Sequence, residues 1–173
     1  MLSKQINIPS SINIQFQKNI MKFEGPKGST TLTLVNYVDI KKKDNSIIEV
    51  SINNLKFKKF LNLFYNLINQ KIEGIQFGFK KTLLLQGIGY KSEIQDDFLI
   101  LKLGYSHPII VSIPKGIQIR IYKNTKLNIF GNDLNKLTQF IFTLKKYRLP
   151  EPYKGKGIIL KNEIIIKKEG KKK

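Results

Sequence analysis

The sequence predicts an α+β fold of two tandem repeats, each a small antiparallel or mixed β-sheet covered on one face by an α-helix. Three observations predict it. The chain has 173 residues, 41% of them apolar, enough for one ordinary domain or two small ones sharing an interface. Segments of period-two alternation are followed by a segment of helical spacing, and this order occurs twice. The chain also matches itself at a shift of 79 residues. Gly25 falls on Gly104, Leu34 on Ile113, Asn45 on Asn124, Val50 on Ile129 and Leu55 on Leu134. A second match, of Ile8-Pro9 with Ile113-Pro114, does not superpose the helices and is set aside.

Each unit reads as a hairpin, two further strands and one helix. In the first, Ile12-Asn13-Ile14-Gln15-Phe16 alternates, as does Leu32-Thr33-Leu34. Lys41, Lys42 and Lys43 read as a solvated edge, since charge blunts exposed strand edges. Asn53 or Asn54 is placed to cap a helix over about 54–72 by accepting an orphan backbone N–H. Its Phe60, Leu61, Phe64, Leu67, Ile68 and Ile72 fall on one face at helical spacing and are assigned to the core. The boundary is set near Phe79-Lys80-Lys81, giving domains 1–80 and 81–173. No long Gly/Ser linker separates them. In the second unit Asp96-Asp97 reads as a turn before the alternating Phe98–Leu103. Ile117–Ile121 and Leu127-Asn128-Ile129 alternate next. Asn132 or Asp133 caps a helix over about 133–147, with Leu134, Leu137, Ile141 and Leu144 on its buried face.

Charge narrows the partner class. The formal net charge is +19, and such self-repulsion is tolerable when a polyanion neutralises it. Nucleic acid leads, with an anionic membrane surface second. The longest apolar runs, such as Ile164-Ile165-Ile166, are far too short to span a bilayer. A membrane-surface protein would need a basic amphipathic helix with an open apolar face, and both helices here have a sheet to cover. Residues 1–80 carry 12 lysines against 5 acids. Residues 81–173 carry 19 basic against 7 acidic side chains, and 11 against 3 of these lie in 145–173. The footprint is therefore biased to the C-terminal end.

Composition also bears on origin. There is no cysteine, which excludes disulfides, zinc ribbons and thiol catalysis. There is no alanine and there are only two arginines, while Lys, Ile, Asn and Phe abound. Helix propensity and RNA recognition would favour Ala and Arg, so codon bias in a very AT-rich genome is the simpler cause. Met1–Pro9 shows neither a secretory nor a transit pattern. The expectation is an organelle-encoded protein, mitochondrial before plastid, with an AT-rich bacterium as the alternative.

The most informative stretch is Pro150-Glu151-Pro152-Tyr153-Lys154-Gly155-Lys156-Gly157-Ile158. It follows a helical end at Lys145, Lys146, Tyr147 and Arg148, and it precedes a tail closing on Lys171, Lys172 and Lys173. The prolines stop the helix and stiffen the approach. Gly155 and Gly157 would let backbone come close to another surface. Lys154 and Lys156 supply cationic heads, and Tyr153 a ring for stacking, so the loop suits a phosphate backbone. Enzyme chemistry finds no support. Asp96 and Asp97 point to opposite strand faces and form no acid/base dyad. Gly87-Ile88-Gly89 has Ser92 where a dinucleotide fingerprint needs its third glycine. Gly155-Lys156 is followed by Gly157, not Ser or Thr. His107, the single histidine, cannot build a metal site without clustered partners. No enzyme activity, cofactor, metal or small-molecule substrate is expected. A free-standing RNA-binding or RNA-chaperone protein remains an alternative class.

The nine-residue string resembles the signature of the large-subunit ribosomal protein six family, bacterial type. So do Gly87-Ile88-Gly89-Tyr90-Lys91, Leu103-Gly104-Tyr105-Ser106-His107-Pro108 and Ile113-Pro114-Lys115-Gly116-Ile117, in order and spacing from about Lys81 onward. The N-terminal half matches by pattern, through Ile8-Pro9, Phe23-Glu24-Gly25-Pro26-Lys27-Gly28 and the long helix. The resemblance implies a structural constituent of the large ribosomal subunit. Its partners would be large-subunit rRNA and neighbouring ribosomal proteins, near the factor-binding region at the stalk base. It implies RNA contacts at Tyr153, Lys154, Gly155, Lys156 and Gly157, then Lys145, Lys146 and Arg148. Lys91, Tyr105, Ser106 and His107 follow, with the Lys171–Lys173 tail. Lys stands where the family often has Arg, which favours point-charge contacts to phosphate over bidentate contacts to bases.

Overall fold

Each repeat builds two three-stranded antiparallel sheets before its helix. The computed structural model describes residues 2–35, 37–44, 46–52 and 55–170. Strands β1 (Leu2–Asn7), β2 (Asn13–Gln17), β3 (Ile20–Gly25), β4 (Gly28–Thr33), β5 (Asp39–Asp44) and β6 (Ile47–Ile52) lead to a 3-10 turn at Leu55–Phe57 and helix α1 (Lys58–Gln76). Strands β7 (Phe79–Gln86), β8 (Lys91–Gln95), β9 (Phe98–Lys102), β10 (Ile109–Ser112), β11 (Ile117–Tyr122) and β12 (Lys126–Gly131) lead to helix α2 (Leu134–Tyr147). A last strand, β13 (Gly157–Leu160), follows. The chain divides into two units: one runs to Gly78 and takes in Asn132–Leu134, the other holds Phe79–Gly131 and the chain from Asn135 onward.

The topology repeats. The first unit has sheets of order β1-β6-β5 and β2-β3-β4, and the second β7-β12-β11 and β8-β9-β10. Asp39 pairs with Ser51 in the first unit, and Gln118 with Phe130 in the second. Both partners are displaced by the same 79 residues. What the second unit adds is β13, antiparallel to β7, which widens one sheet to four strands.

In the first unit Met21, Phe23, Ile48 and Val50 are fully buried with Leu61, Phe64, Ile68 and Ile75 of α1. Helix α1 starts and ends about four residues later than expected. It runs on through Gly74, whose cost of roughly 1 kcal/mol in a helix interior is offset by burying Ile75 completely. Residues 53 and 54, the expected caps, lie outside the described residues. Position 57 fills the cap site of α1 and makes no side-chain cap bond. Phe60 is not core: it is 37% exposed and packs beside Phe57, which stacks on Tyr37 at 4.5 Å. Lys71 of α1 is buried, with its ammonium 2.5 Å from Asp133 Oδ2 within the same unit. A charge at that depth needs such a partner. Lys41, Lys42 and Lys43 are exposed on β5, an edge strand.

In the second unit Leu83, Leu99, Leu101, Leu103, Leu127 and Ile129 are buried, together with Leu137, Ile141 and Leu144 of α2. Phe140 joins them, while Leu134 is only half-buried. Asp96-Asp97 does form the β8–β9 turn, with Asp96 at φ 50°.

Candidate nucleic-acid interface

Helix α2 aims the chain at the loop that follows. Its last turn carries Lys145 and Lys146, where cations suit the negative end of the helix dipole. Beyond Tyr147 the backbone turns and closes on itself. The Glu151 N–H donates to the Lys156 carbonyl at 2.9 Å, and the Gly155 N–H to the Glu151 carbonyl at 2.9 Å. The Ile158 N–H donates to the Arg148 carbonyl at 2.9 Å, which seats β13 against the end of α2. The tail passes back over the loop, with the Lys168 N–H bonded to the Pro152 carbonyl at 3.0 Å. Two backbone hydrogen bonds thus close the loop on itself, and Tyr153 (55% exposed) and Lys154 are left outside. Lys156 is half-buried.

The two glycines do not lie open for close approach by a partner, as their spacing suggested; both are buried. Gly155 sits at φ +68°, a left-handed turn that a side chain strains. Gly157 sits at φ +147°, and a Cβ there would lie 2.6 Å from Pro150 Cα and 2.7 Å from the Leu149 carbonyl oxygen. It is a folding residue, because the surface it lets approach is the chain's own Leu149-Pro150.

Lys145 is also corrected. It is 8% exposed, and its Nζ bonds both Glu163 carboxylate oxygens at 2.6 Å. Its charge is neutralised inside the unit, so it offers no free cation to a phosphate. The Leu160 N–H donates to the same carboxylate at 3.1 Å. Glu163 is held below the ordinary carboxylate range, first by the Lys145 hydrogen bond, against a desolvation effect that burial adds in the other direction. Sequence reasoning missed this residue. The only signal was one acid between Glu151 and Glu169 in a lysine-rich tail.

A second signature loop meets the first. The Tyr105 hydroxyl donates to the Tyr147 carbonyl at 2.9 Å, one of the orphan acceptors at the end of α2. The Arg148 guanidinium lies over the Tyr105 ring, 4.9 Å from its centroid. Hydrogen bonding to Tyr105, and then the influence of the Tyr90 phenol, raise its pKa beyond the ordinary arginine value. The β9–β10 loop and the chain after α2 therefore share one corner of the unit. Ser106 and His107 are exposed there, with Ser106 Oγ 3.4 Å from His107 Nδ1. Lys146 is exposed and Arg148 half-buried. Lys91 is exposed on β8, and no hydrogen bond or ring contact among the described residues ties it to this corner. Lys171, Lys172 and Lys173 lie outside the described residues. No three His, Asp or Glu side chains come together as metal ligands among the described residues.

Comparison with known proteins matches the same regions. The family model described as Ribosomal protein L6 matches residues 8–78 and 86–159, one stretch in each repeat. A large ribosomal subunit protein uL6 of Mycoplasmoides gallisepticum is 39% identical over 180 residues, covering 98% of this chain and 94% of that protein. The uL6 of Geotalea uraniireducens is 39% identical over 167 residues, covering 96% and 93%. The protein named uL6c of Arabidopsis thaliana is 34% identical over 168 residues, covering 96% and 75%.

Proposed function

The chain belongs to the ribosomal protein L6 family, whose members are structural proteins and not enzymes, and we propose that it is a constituent of the large ribosomal subunit held there by rRNA. The carrying observation is the closed loop 151–156. Two backbone hydrogen bonds close it on itself while Tyr153 and Lys154 are exposed, so the ring and the ammonium meet RNA from a prefolded base. Lys154 and Lys156 neutralise phosphates, and Tyr153 packs on a sugar or base. Lys146, Arg148, Tyr105, Ser106 and His107 extend the contact from the adjoining corner. Lys91 and the Lys171–Lys173 tail are further phosphate contacts. Lys145 and Gly157 act within the fold. The resemblance of the signature strings supports a position at the stalk base, beside neighbouring large-subunit proteins.

Cross-linking in intact large subunits tests this reading. The peptide holding Tyr153 and Lys154 should be recovered attached to rRNA of the factor-binding region. Recovery of that peptide free, with the first unit's lysines cross-linked instead, would overturn it. The alanine-free, lysine- and isoleucine-rich composition supports a mitochondrial ribosome. The gene should then lie in mitochondrial DNA and the protein sediment with mitochondrial large subunits. Plastid or bacterial ribosomes as its home would overturn that finer assignment.

A further inference from the structure

We propose that the exposed part of one face of the four-stranded sheet in the second unit is a separate RNA-contacting surface, taking one phosphate at Lys80, another at Arg120, and a ribose or base beside Tyr122. This rests on the RNA-binding reading above but uses none of its residues. Register places the side chains. Phe130 pairs with Lys80 on one side and Gln118 on the other, Asn128 with Thr82 and Arg120, and Lys126 with Leu84 and Tyr122. Alternation puts all of these on one face, where Asn128 is buried and Lys80, Arg120, Tyr122 and Lys126 are exposed, while Leu83, Leu127, Ile129 and Ile117 point into the core.

Two features of that face point to an anion. Lys80 Nζ lies 5.6 Å and Arg120 Cζ 5.5 Å from the centroid of the same ring, Phe130. The ring holds each cationic head in place before any ligand arrives, so less side-chain freedom is lost on binding. None of the four strands carries an acidic residue, so nothing on the face neutralises the pair. One carboxylate, Glu163, borders a groove of about 340 Å³ that Lys80, Lys81, Thr82 and Lys161 also line. That carboxylate is already bonded to Lys145. Lys126 and Tyr122, the latter 48% exposed, continue the same face beyond Arg120. An arginine fork and an ammonium each suit phosphate oxygens. An exposed ring one step away suits the nucleoside attached to it. An RNA strand supplies both in one ligand.

The test uses the full chain, a ten-nucleotide uridine RNA and a large-subunit rRNA transcript, each titrated across a salt series. Lys80→Gln with Arg120→Gln should flatten the slope of log K against log salt by about 1.4, roughly 0.7 for each single-strand phosphate that is no longer neutralised. The melting temperature should stay unchanged. Ultraviolet irradiation should attach Tyr122 to the uridine RNA, and the double variant should lose that adduct. An unchanged slope would sink the proposal. So would an equal drop from Lys42→Gln with Lys43→Gln, which removes the same charge from the exposed edge of the first unit. Tyr122 cross-linking to a protein and never to RNA would make the face a protein interface instead. Lys154→Ala with Lys156→Ala, measured alongside, separates the readings. Loss there with no loss at the sheet keeps the loop and discards the sheet, and the reverse keeps only the sheet.

Discussion

The two units share one topology and differ in what is added to it. Each has the same strand order in two sheets and one helix. The first stops at its helix. The second continues into a closed loop, β13 and a tail pinned by Glu163. The second also carries the larger basic excess, and the signature strings lie there. Duplication supplied a scaffold twice, and the surface specialised where the second copy departs from the first. That surface is rigid because its additions are built into the fold. β13 completes a sheet, Gly157 packs on Pro150, and Glu163 anchors the tail to α2.

Breaking the additions should destabilise the second unit most. Gly157→Val forces a branched side chain onto the Leu149-Pro150 backbone and should cost about 3 kcal/mol, from overpacking and backbone strain together. Urea denaturation should show it as a lower midpoint. A variant of wild-type stability would mean the loop relaxes freely and the contact is incidental.

Glu163→Gln comes next. It leaves the buried Lys145 ammonium facing a neutral amide. Removing one partner of a fully buried pair costs roughly 3–5 kcal/mol, and because Glu163 is partly exposed we expect about 2 kcal/mol at neutral pH. The pH dependence has a definite sign. The folded-state pKa of Glu163 is depressed, so its contribution is present above the ordinary carboxylate pKa. It is lost as pH falls through the depressed value, where the unfolded chain already binds the proton. The wild type should therefore lose stability relative to the Gln variant on acidification. Parallel curves from neutral to acid pH would exclude the pair as the cause.

In the first unit, Phe60→Ala should cost only about 1 kcal/mol, because the ring is partly exposed and contributes mainly aromatic contact. A cost as large as that of deleting the buried Phe23 would show that the aromatic cluster belongs to the core. The smallest effect on stability should come from Lys154→Ala with Lys156→Ala, within about 0.5 kcal/mol, as for surface substitutions generally. The same pair should reduce the salt slope of rRNA binding by a little under ~1 for each phosphate released. Binding with an undiminished slope would end the contrast between a specialised and an unspecialised unit.

Much of this scaffold was legible in the sequence. Ile117–Ile121 alternates because one face of β11 lines the core. Leu137, Ile141 and Leu144 recur at helical spacing because α2 buries one side. The shift of 79 residues survives as shared register because each copy solves the same packing problem. Strands β1 and β4 were harder to read. Leu2–Asn7 and Gly28–Thr33 expose most of their side chains, so their pairing depends on backbone bonds to β6 and β3 more than on an apolar pattern.

The sequence by itself determined the fold class, the two helices, the basic C-terminal bias and the exposed ring and ammonium of Tyr153 and Lys154. These follow from periodicity, composition and local turn chemistry, which act over a few residues. Only the tertiary structure decided that Lys145 is neutralised by Glu163, that Gly157 answers to Pro150, that Tyr105 ties its loop to the end of α2, and that Lys80 and Arg120 share the Phe130 ring. Each of these depends on residues that the chain separates by 7 to 50 positions. A lysine or a glycine has the same local signature whether its partner is solvent, RNA or its own chain. Burial and pairing choose among these, and both exist only once the sheets are assembled.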